Sequence, residues 1–518
     1  MRKFISLFLY RTNVFARAFF PKQSHDLRDI STQQEIATPP KSKSGGSQRH
    51  LYTRCMVESS LLLLLVVVST FASQPARAQA GGPVYIVQPG DTLSFIASRF
   101  NVTLEEVLAA NPAIDPNFLS AGQQIVIPGL EGITGILETE IIPFGDSLRS
   151  LSRRTQVSDE QLKKLNRLVS PTELYVGISL IVPVQEGQNI LSARLSASVG
   201  ESLFELAIKQ GINPWTLASV NKLGGTWNAI PGDVLYSPTA GNEGGAATGL
   251  PSAFLSASIS PLPMIQGSTE VIRVKTQGNV PVSGMLVDNA LHFFAANDEQ
   301  VALQGIHALL EPGVYPLRVE AILSDGSKQS FEQMALVTSG NYLSEEIYVE
   351  PETIDPAVSE LENQTVFSVA NPSNPMKIWN DVFSSPAIFP DEFTSFFGTR
   401  RTYHGIGTDL TIQGFHTGLD FSGGEGLQIF APAPGRVVFA APLTVRGNAT
   451  IIDHGWGVYS GFWHQSEILV NVGDTVEQGQ VIGLVGGTGR VTGAHLHWEL
   501  WVNGVQVNPL DWLDQAYP

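Results

Sequence analysis

Between residues 84 and 238, the pattern of apolar and polar positions repeats three times with a period of 55 residues. In each copy a short alternating run precedes two stretches with helical spacing, and an acid before the first stretch favours a helix N-terminus there. Equivalent residues are, repeat by repeat, Gly90, Asn111, Gly122 and Pro128; Gly145, Asn166, Gly177 and Pro183; Gly200, Asn221, Gly232 and Pro238. We therefore predict three βααβ units, at 84–128, 137–183 and 192–238.

The middle of the chain consists of short alternating runs, and turns such as Asp325-Gly326 separate them. This pattern predicts a β-sandwich at 254–350, with a size of about a hundred residues that is typical of immunoglobulin-like domains. His292 and His307 lie here without partners at ligand spacing, so we expect structural roles for them. The region itself is expected to be a rigid spacer or a cover for a groove.

Two segments flank this middle region and differ from it in pattern. Residues 239–253 are rich in glycine and alanine and lack periodicity, which indicates a flexible linker. Residues 351–389 have the pattern of an extended and partly helical connector. The C-terminal part of the chain then begins at about residue 390.

In that last part, 390–518, the run His495-Leu-His-Trp-Glu-Leu-Trp501 alternates as a strand does. Side chains two positions apart leave a strand on the same face, so His495 and His497 can face one cavity. His416 and Asp420 are four residues apart, which would also align them on a helix. Glycines around them argue against a helix, and we place this pair on a loop or strand end.

Near the N-terminus, an apolar run from Leu61 to Ala72 precedes the small-residue signature Ala78-Gln79-Ala80. We predict that residues 1–80 are a leader containing a signal peptide, cleaved after about Ala80. The mature protein would then be secreted and would have no stable membrane anchor. A retained anchor is the alternative, although so short a run is marginal for crossing a bilayer. Met56 is an alternative start.

The length of the chain indicates how many domains to expect, and its charge argues against one class of partner. At 518 residues the chain is too long for one core, so three or four domains are expected. Residues 1–80 contain 11 Lys/Arg and 4 Asp/Glu, which leaves 20 against 44, a formal charge of −24, for the remainder. So acidic a body argues against a nucleic-acid partner. The only cysteine, Cys55, lies in the leader, so the mature chain would have neither disulfides nor thiolate ligands.

Three short clusters in the C-terminal part contain the residues that suit a metal: 414–420, 462–464 and 493–499. Imidazole nitrogens and a carboxylate oxygen are ligands that Zn²⁺ accepts, and three protein ligands with one open position are the catalytic arrangement. One histidine on an apolar face is more often a core residue than a ligand. Three clusters with histidine, one of them with an aspartate, are more typical of a metal site.

The ordered motifs His416-x3-Asp420, His464 and His495-x-His497 resemble the M23 (lysostaphin/LytM-like) family of zinc metallopeptidases. The flanking segments 397–400, 431–437, 473–476, 479–483 and 488–493 match as well. The resemblance covers about 390–513 and implies a mainly antiparallel β domain that cuts peptide bonds in bacterial peptidoglycan. It implies that His416, Asp420 and His497 bind one Zn²⁺, and that His464 and His495 are the catalytic pair. Which of the two is the base stays open. Glu499 is an alternative base or an orienting residue, and we expect a structural role for it.

The three repeats resemble LysM domains, βααβ modules that bind glycans containing N-acetylglucosamine. The first repeat is close to the family pattern, whereas Phe144 and Val199 replace Pro89 in the others. The resemblance implies glycan contacts from the turn after Gly90 and from the loop after Asn111, with the candidate residues Gly90, Asp91, Thr92, Leu93, Asn111, Pro112 and Ile114. Repeats 2 and 3 are either further binding sites or spacers, and tandem copies would raise retention on a repetitive polymer.

Three functions are compatible with these features. The first is a secreted zinc endopeptidase that holds the glycan strand of peptidoglycan through its LysM units while it cuts the peptide. The second is a catalytically silent wall-binding regulator that activates a separate amidase, although all five key positions are filled here. The third is a structural metal module, which four closed protein ligands would characterise better than three.

Overall fold

The computed structural model describes residues 82–170, 173–185, 191, 194–196, 201–225, 234–238, 250–251, 253–370 and 374–518. The predicted leader with its signal peptide, and nearly all of the predicted linker 239–253, lie outside these residues. Within the described part of the chain, no helix combines the length and apolar character needed to span a bilayer.

Each of the three repeats folds as strand, helix, helix, strand, as the periodicity predicts. Repeat 1 contains β1 (Val84–Ile86), α1 (Leu93–Phe100), α2 (Leu104–Ala110) and β2 (Gln124–Val126). Repeat 2 contains β3 (Ile136–Ile141), α3 (Leu148–Thr155), α4 (Asp159–Asn166) and β4 (Ser179–Val184). Repeat 3 contains β5 (Arg194–Ser196), α5 (Leu203–Lys209), α6 (Pro214–Val220) and β6 (Val234–Tyr236).

One asparagine per repeat joins the second helix to the last strand. In repeat 1 the Asn111 amide donates to the carbonyls of Val107 and Val126, at 2.7 Å each, and its oxygen accepts from the Val126 N–H at 2.8 Å. Asn166 and Asn221 make the same three bonds in the other repeats. The 55-residue spacing of asparagine therefore reflects an internal brace, because the side chain satisfies backbone donors and acceptors of both the helix and the strand.

Repeats 1 and 2 are fused through a common sheet with the order β2-β1-β3-β4. Strand β1 runs parallel to β3, with Tyr85 opposite Leu137. Leu165 and Ile181 of repeat 2 lie in the hydrophobic core of repeat 1. The two repeats therefore form one body.

The middle region folds into two facing sheets around a core that includes Ile272, Leu317 and Val319. The first sheet has the order β11-β10-β14-β15-β8 and the second has the order β12-β13-β9-β7. Their strands are β7 (Phe254–Ser260), β8 (Met264–Ile265), β9 (Thr269–Thr276), β10 (Val282–Leu286), β11 (Asn289–Leu291), β12 (Phe294–Ala296), β13 (Glu299–Gly305), β14 (Gly313–Ile322) and β15 (Lys328–Thr338). The alternating runs thus produce the expected sandwich.

The connector between the sandwich and the last domain contains a strand and a helix. Strand β16 (Ser344–Val349) leaves the sandwich, runs parallel to β18 (Arg400–Gly405) and extends the hairpin that β18 forms with β19 (Thr411–Phe415). A short 3-10 turn (Pro351–Ile354) then leads into helix α7 (Pro356–Ala370). This segment therefore packs as part of the C-terminal domain.

The C-terminal domain is built on a long sheet with the order β17-β20-β28-β24-β23-β22-β26, and β29 pairs with β28. A small sheet, β21-β27-β25, packs beside it. The elements are β17 (Phe393–Ser395), β20 (Leu419–Phe421), β21 (Gln428–Phe430), β22 (Gly435–Leu443), β23 (Gly447–Gly455), β24 (Val458–Gln465), β25 (Glu467–Ile468), β26 (Thr475–Val476), β27 (Val481–Leu484), β28 (Leu496–Val502), β29 (Val505–Val507) and α8 (Pro509–Asp514).

The sandwich and the C-terminal domain share a buried boundary. The ring of Phe294 stacks on Trp456 with centroids 5.1 Å apart, and Trp512 donates to the Thr269 hydroxyl at 3.0 Å. Glu270, which is fully buried there, accepts from Ser268 at 2.7 Å. Burial raises the pKa of Glu270 to about 8, and the nearby Asp511 carboxylate adds to the rise.

Glu270 should make the stability of this boundary dependent on pH. Because its pKa in the folded state is above the usual 4.5, the folded protein retains a proton that the unfolded chain releases, so stability falls as pH rises from 4.5 to 8. We expect Glu270→Gln to be more stable than the wild type by about 3 kcal/mol at pH 7, and about equal to it at pH 4.5. Thermal unfolding across this pH range tests the difference, with Glu332→Gln, on the exposed surface, as the control.

The asparagine brace gives a second prediction. Asn111→Ala leaves two carbonyls and one N–H without their partner, so we expect the local opening of repeat 1 to become easier by about 2–4 kcal/mol. Amide hydrogen exchange within residues 84–128 measures this opening. Asn117→Ala, at an exposed position of the same repeat, should change it little, and equal effects of the two substitutions would contradict the brace.

Candidate metal centre

The pairing of strands places the predicted ligands side by side. Asp420 on β20 pairs directly with His497 on β28, and His464 lies near the end of the neighbouring strand β24. Gly418 allows this approach, because a Cβ there would lie 2.3 Å from the carbonyl oxygen of Trp498 and 2.7 Å from Nε2 of His497. His416 lies between β19 and β20, and Asp420 is the central residue of the short strand β20, so the pair lies outside any helix, as predicted.

Three ligand atoms converge at this point. Nε2 of His416 lies 3.0 Å from Oδ1 of Asp420 and 3.1 Å from Nδ1 of His497, and Nδ1 of His497 lies 2.7 Å from Oδ1 of Asp420. All three residues are buried. They form the group of His, Cys, Asp and Glu side chains in the described residues whose donor atoms are close enough to hold one metal ion.

The hydrogen bonds around the two histidines fix which nitrogen faces the ligand atoms. Nδ1 of His416 lies 2.9 Å from the carbonyl oxygen of Phe396. Because a carbonyl only accepts, Nδ1 carries the proton and the lone pair is on Nε2, toward the other ligands. On His497 the arrangement is reversed, with Nδ1 toward Asp420 and Nε2 3.4 Å from Oε1 of Glu499.

Glu499 is held as a fixed charge behind this site. It is fully buried, and its two oxygens accept from Thr417 at 2.5 Å and from Gln506 at 3.2 Å. Burial alone would raise its pKa, but the neighbouring His497, with Arg446 and Thr417, lowers it to about 2. The ionised carboxylate of Glu499 thus lies beside the ring of His497, 3.4 Å from its Nε2.

The electrostatics of Asp420 and His416 favour the forms that bind a cation, whereas His497 must lose a proton to do so. Burial raises the pKa of Asp420, but His497 and His416 outweigh it and hold that pKa well below its usual range. Burial lowers the pKa of His416, so its ring is neutral near pH 7. The Asp420 carboxylate, acting against burial, raises the pKa of His497. An ionised oxygen and a neutral nitrogen are the states that metal coordination requires.

This donor set fits a divalent ion such as zinc. A tetrahedral ion about 2.0–2.1 Å from each ligand separates neighbouring ligand atoms by about 3.3 Å, and the separations here are 2.7–3.1 Å. The group has three protein ligands rather than four, which leaves one position for an exchangeable ligand.

His464 and His495 lie next to the ligands on the open side. Their ring centroids are 5.2 Å apart, and Nε2 of His495 is 3.6 Å from Oδ1 of Asp420. Nδ1 of each ring donates to a carbonyl, that of Thr488 at 2.8 Å and that of Gly493 at 2.9 Å. Both rings therefore hold an Nε2 lone pair that is free to take a proton. The two are equivalent in this respect, and the choice between them stays open.

The backbone and environment of His464 are unusual. Its φ is +62°, a left-handed conformation that non-glycine residues rarely adopt and that the surrounding sheet must enforce. Burial, together with the neighbouring His497 and His495, lowers its pKa to about 3. His464 is thus a neutral imidazole at physiological pH.

A cavity of about 420 Å³ opens above these residues, and several of its walls were not expected from the sequence. The sandwich contributes His307, whose ring lies edge-on to Phe415 with centroids 5.4 Å apart. The β18–β19 hairpin and helix α7 contribute Tyr403 and Phe367. His307 is therefore a groove residue, and the middle region is part of the groove rather than only a spacer.

Helix α7 is fastened to the groove by a buried carboxylate. Glu362 accepts from the N–H groups of Val445 and Arg446, at 2.8 and 3.0 Å, and from the Arg446 guanidinium at 3.0 Å. The carbonyl of Arg446 in turn accepts from the His464 N–H at 2.8 Å. The helix thus contacts the backbone that carries a candidate catalytic residue, a link across about 80 residues of sequence that no local pattern signals.

The glycan-binding candidates of repeat 1 divide into exposed and buried side chains. Gly90, Thr92 and Pro112 are exposed, and Asp91 and Ile114 are half-buried. Leu93 is in the core, and the Asn111 side chain is occupied by the brace described above. Contacts to a ligand from these last two positions are therefore limited to the backbone around them.

Comparisons with known proteins agree with these features. Residues 414–509 match the model of peptidase family M23, and residues 85–128, 142–183 and 199–238 match the LysM domain. Over 95 residues the chain is 43% identical to the peptidoglycan DD-endopeptidase ShyA of Vibrio cholerae, and 42% identical to the DD-carboxypeptidase/endopeptidase Mpg of Neisseria meningitidis. Each match covers 18% of this chain, which spans about a fifth (22%) of the length of these relatives.

Among solved structures, the chain is similar to a putative peptidase M23 from Pseudomonas aeruginosa, with 25% identity and a TM-score of 0.37. That match covers 49% of this chain and 96% of the other. A zinc-containing peptidase from Vibrio cholerae matches with 14% identity and a TM-score of 0.25, over 84% of this chain and 99% of that one. By its family matches, the chain carries a peptidase domain of family M23, preceded by three LysM domains.

Proposed function

We propose that this protein is a zinc-dependent endopeptidase that cuts the peptide stems or cross-links of peptidoglycan. The observation that carries the proposal is the convergence of His416, Asp420 and His497 in the wall of an open groove, with two further imidazoles beside them. The names of the two relatives, a peptidoglycan DD-endopeptidase and a DD-carboxypeptidase/endopeptidase, support the choice of substrate.

In this proposal His416 Nε2, Asp420 Oδ1 and His497 Nδ1 hold the zinc ion. When bound, zinc would act as a Lewis acid on the scissile carbonyl and would lower the pKa of a water molecule to about 7. Nε2 of His464 or His495 accepts the proton from the attacking water and returns it to the leaving amine. The other imidazole, when it carries a proton on Nε2, would donate to the carbonyl oxygen and stabilise the negative charge that develops there. Glu499 keeps His497 in the required orientation throughout.

The LysM domains hold the glycan strand of the same polymer in this proposal. A weak single contact gains retention when it is combined with the groove on one chain, because the second contact forms at high effective concentration. The protein acts outside the cytoplasm, where peptidoglycan lies, and the apolar run 61–72 with the Ala78-Gln79-Ala80 signature supports its export and the absence of a lasting membrane anchor.

A silent regulator that activates a separate amidase is the competing function. The convergence of His416, Asp420 and His497, with the two imidazoles of His464 and His495 beside them, supports the peptidase over the regulator, which would need neither. Loss of turbidity of purified sacculi distinguishes the two functions: lysis by the protein alone supports the peptidase, and lysis only with an added amidase supports the regulator.

Mass spectrometry of the released muropeptides identifies which peptide bond is cut.

Substitution of a ligand and of a proton-transfer residue should have different effects. We expect His416→Ala to lose both the metal and the activity, because two protein ligands remain. His464→Ala should keep about one zinc per chain and lower kcat by about 10²–10⁴, the range for loss of a general acid–base. Zinc content and muropeptide release measure the two effects. His404→Ala, outside the ligand set, is the control, and a fully active His464→Ala would refute the role assigned to that residue.

Removal of the metal tests the cofactor separately. Dialysis against a chelator should abolish muropeptide release, and added Zn²⁺ should restore it. Asp420→Asn, with a neutral side chain of the same size, should require a zinc concentration at least about tenfold higher for half-maximal recovery, since a carboxylate binds the cation more strongly than an amide. Activity that survived full removal of metal would exclude the proposed chemistry.

A further inference from the structure

Repeats 1 and 2 contain the same surface feature in two different environments. We call it the turn face: residues 88–91 and 119–122 in repeat 1, and residues 143–146 and 174–177 in repeat 2. In both repeats the N–H of the later glycine, Gly122 or Gly177, donates across this face to a backbone carbonyl at 2.8 Å. The two faces therefore have matching internal geometry, and 55 residues separate each pair of equivalent positions.

In repeat 1 the turn face is open to solvent. Pro89, Gly90, Ala121 and Gly122 are exposed, and a Cβ built on either glycine would meet no atom within 4 Å. The ring of Phe118, in the loop that leads into this face, is 72% exposed. An aromatic ring open to water, close in sequence to an exposed backbone turn, offers an apolar platform for the C–H face of a sugar.

In repeat 2 the same face is buried against the sandwich. Phe144 and Val176, the counterparts of Pro89 and Ala121, lie in the sandwich core and are 4% and 0% exposed. A Cβ on Gly177 would lie 3.1 Å from Cα of Pro263, where the equivalent glycine of repeat 1 meets nothing.

Directed contacts hold the buried face in place. Val176 forms a parallel bridge to strand β15, with its N–H donating to Met334 at 2.9 Å and its carbonyl accepting from Leu336 at 2.8 Å. The side chain of Gln333 accepts from the Gly145 N–H at 2.8 Å and donates to the Asp146 carbonyl at 3.1 Å. Phe144 packs edge-on to Phe331 with centroids 5.2 Å apart.

The loop of repeat 2 that corresponds to the candidate glycan-binding loop after Asn111 also contacts another part of the chain. Arg167 occupies the position equivalent to Pro112, and its guanidinium donates to the Ser98 carbonyl of repeat 1 at 2.8 Å. Repeat 2 is thus engaged on both sides by other parts of the chain.

We infer that the turn face of repeat 2 is an intramolecular docking surface for the sandwich and takes no glycan, whereas the turn face of repeat 1, with Phe118, receives the N-acetylglucosamine strand. This rests on the proposed binding of glycan by the LysM domains. A sugar could reach the face of repeat 2 only after two backbone hydrogen bonds were broken and two apolar side chains were exposed to water, a cost that weak saccharide binding does not offset. We confine the inference to repeats 1 and 2, because residues 197–200, at the turn of repeat 3, lie outside the described residues.

Binding of a β-1,4-linked N-acetylglucosamine pentamer to the full chain tests this inference. Hydrogen exchange should show protection in residues 88–94 and 115–122 when the pentamer is added, and no change in 143–148 and 174–177. We expect Phe118→Ala to weaken binding by at least about tenfold by titration calorimetry, because the apolar surface that the ring would bury against the sugar is lost.

A matched substitution in repeat 2 serves as the control. Val169→Ala changes the counterpart of Ile114 at a residue that is 88% exposed, so the fold should tolerate it, and we expect binding to change less than about twofold. Protection at 143–148 or 174–177, or an equal loss from Val169→Ala, would overturn the inference and leave the proposed glycan binding intact. Absence of pentamer binding by the wild type would overturn both, while muropeptide release would still report on the peptidase.

Discussion

The pairing of β20 with β28 is the constraint on which the candidate metal centre depends. It sets Asp420 directly opposite His497, and the next strand, β24, brings His464 to the same side. Since side chains alternate between the faces of a sheet, a slip of one residue would turn Asp420 away from both imidazoles. Gly418 permits the close approach of these strands, and the buried Trp498 and Leu496 fix the register from the opposite face.

Much of this centre could be predicted from the sequence because its signals are local. The two-residue spacing of His495 and His497 predicts a shared strand face, and glycines around His416 and Asp420 predict a loop or strand end instead of a helix. The repeats were also predictable, since a 55-residue period is visible without any knowledge of tertiary contacts. The spacing of Asn111 revealed the repeat but not the reason for it, which is a brace between a helix and a strand.

The groove walls were not predictable, because residues distant in sequence form them. His307 has no ligand spacing and so resembles a structural histidine, but the fold places it over Phe415. Glu362 similarly resembles an ordinary helix acid until the fold brings it to Arg446. For repeat 2 a weak signal existed: Phe144 and Val176 are large and apolar where repeat 1 has Pro89 and Ala121 at exposed positions. A bulky apolar residue at a turn indicates a covering partner, but it does not name that partner.

The continuous sheet of repeats 1 and 2 has a consequence for work on a periodic polymer. Strand β1 is hydrogen-bonded to β3, and repeat 2 is hydrogen-bonded to β15 of the sandwich, which in turn stacks on the C-terminal domain through Phe294 and Trp456. The first two repeats, the sandwich and the C-terminal domain are therefore joined by direct contacts and not only by flexible linkers. Under the proposed function, a glycan strand held by repeat 1 would therefore lie at a set distance from the groove.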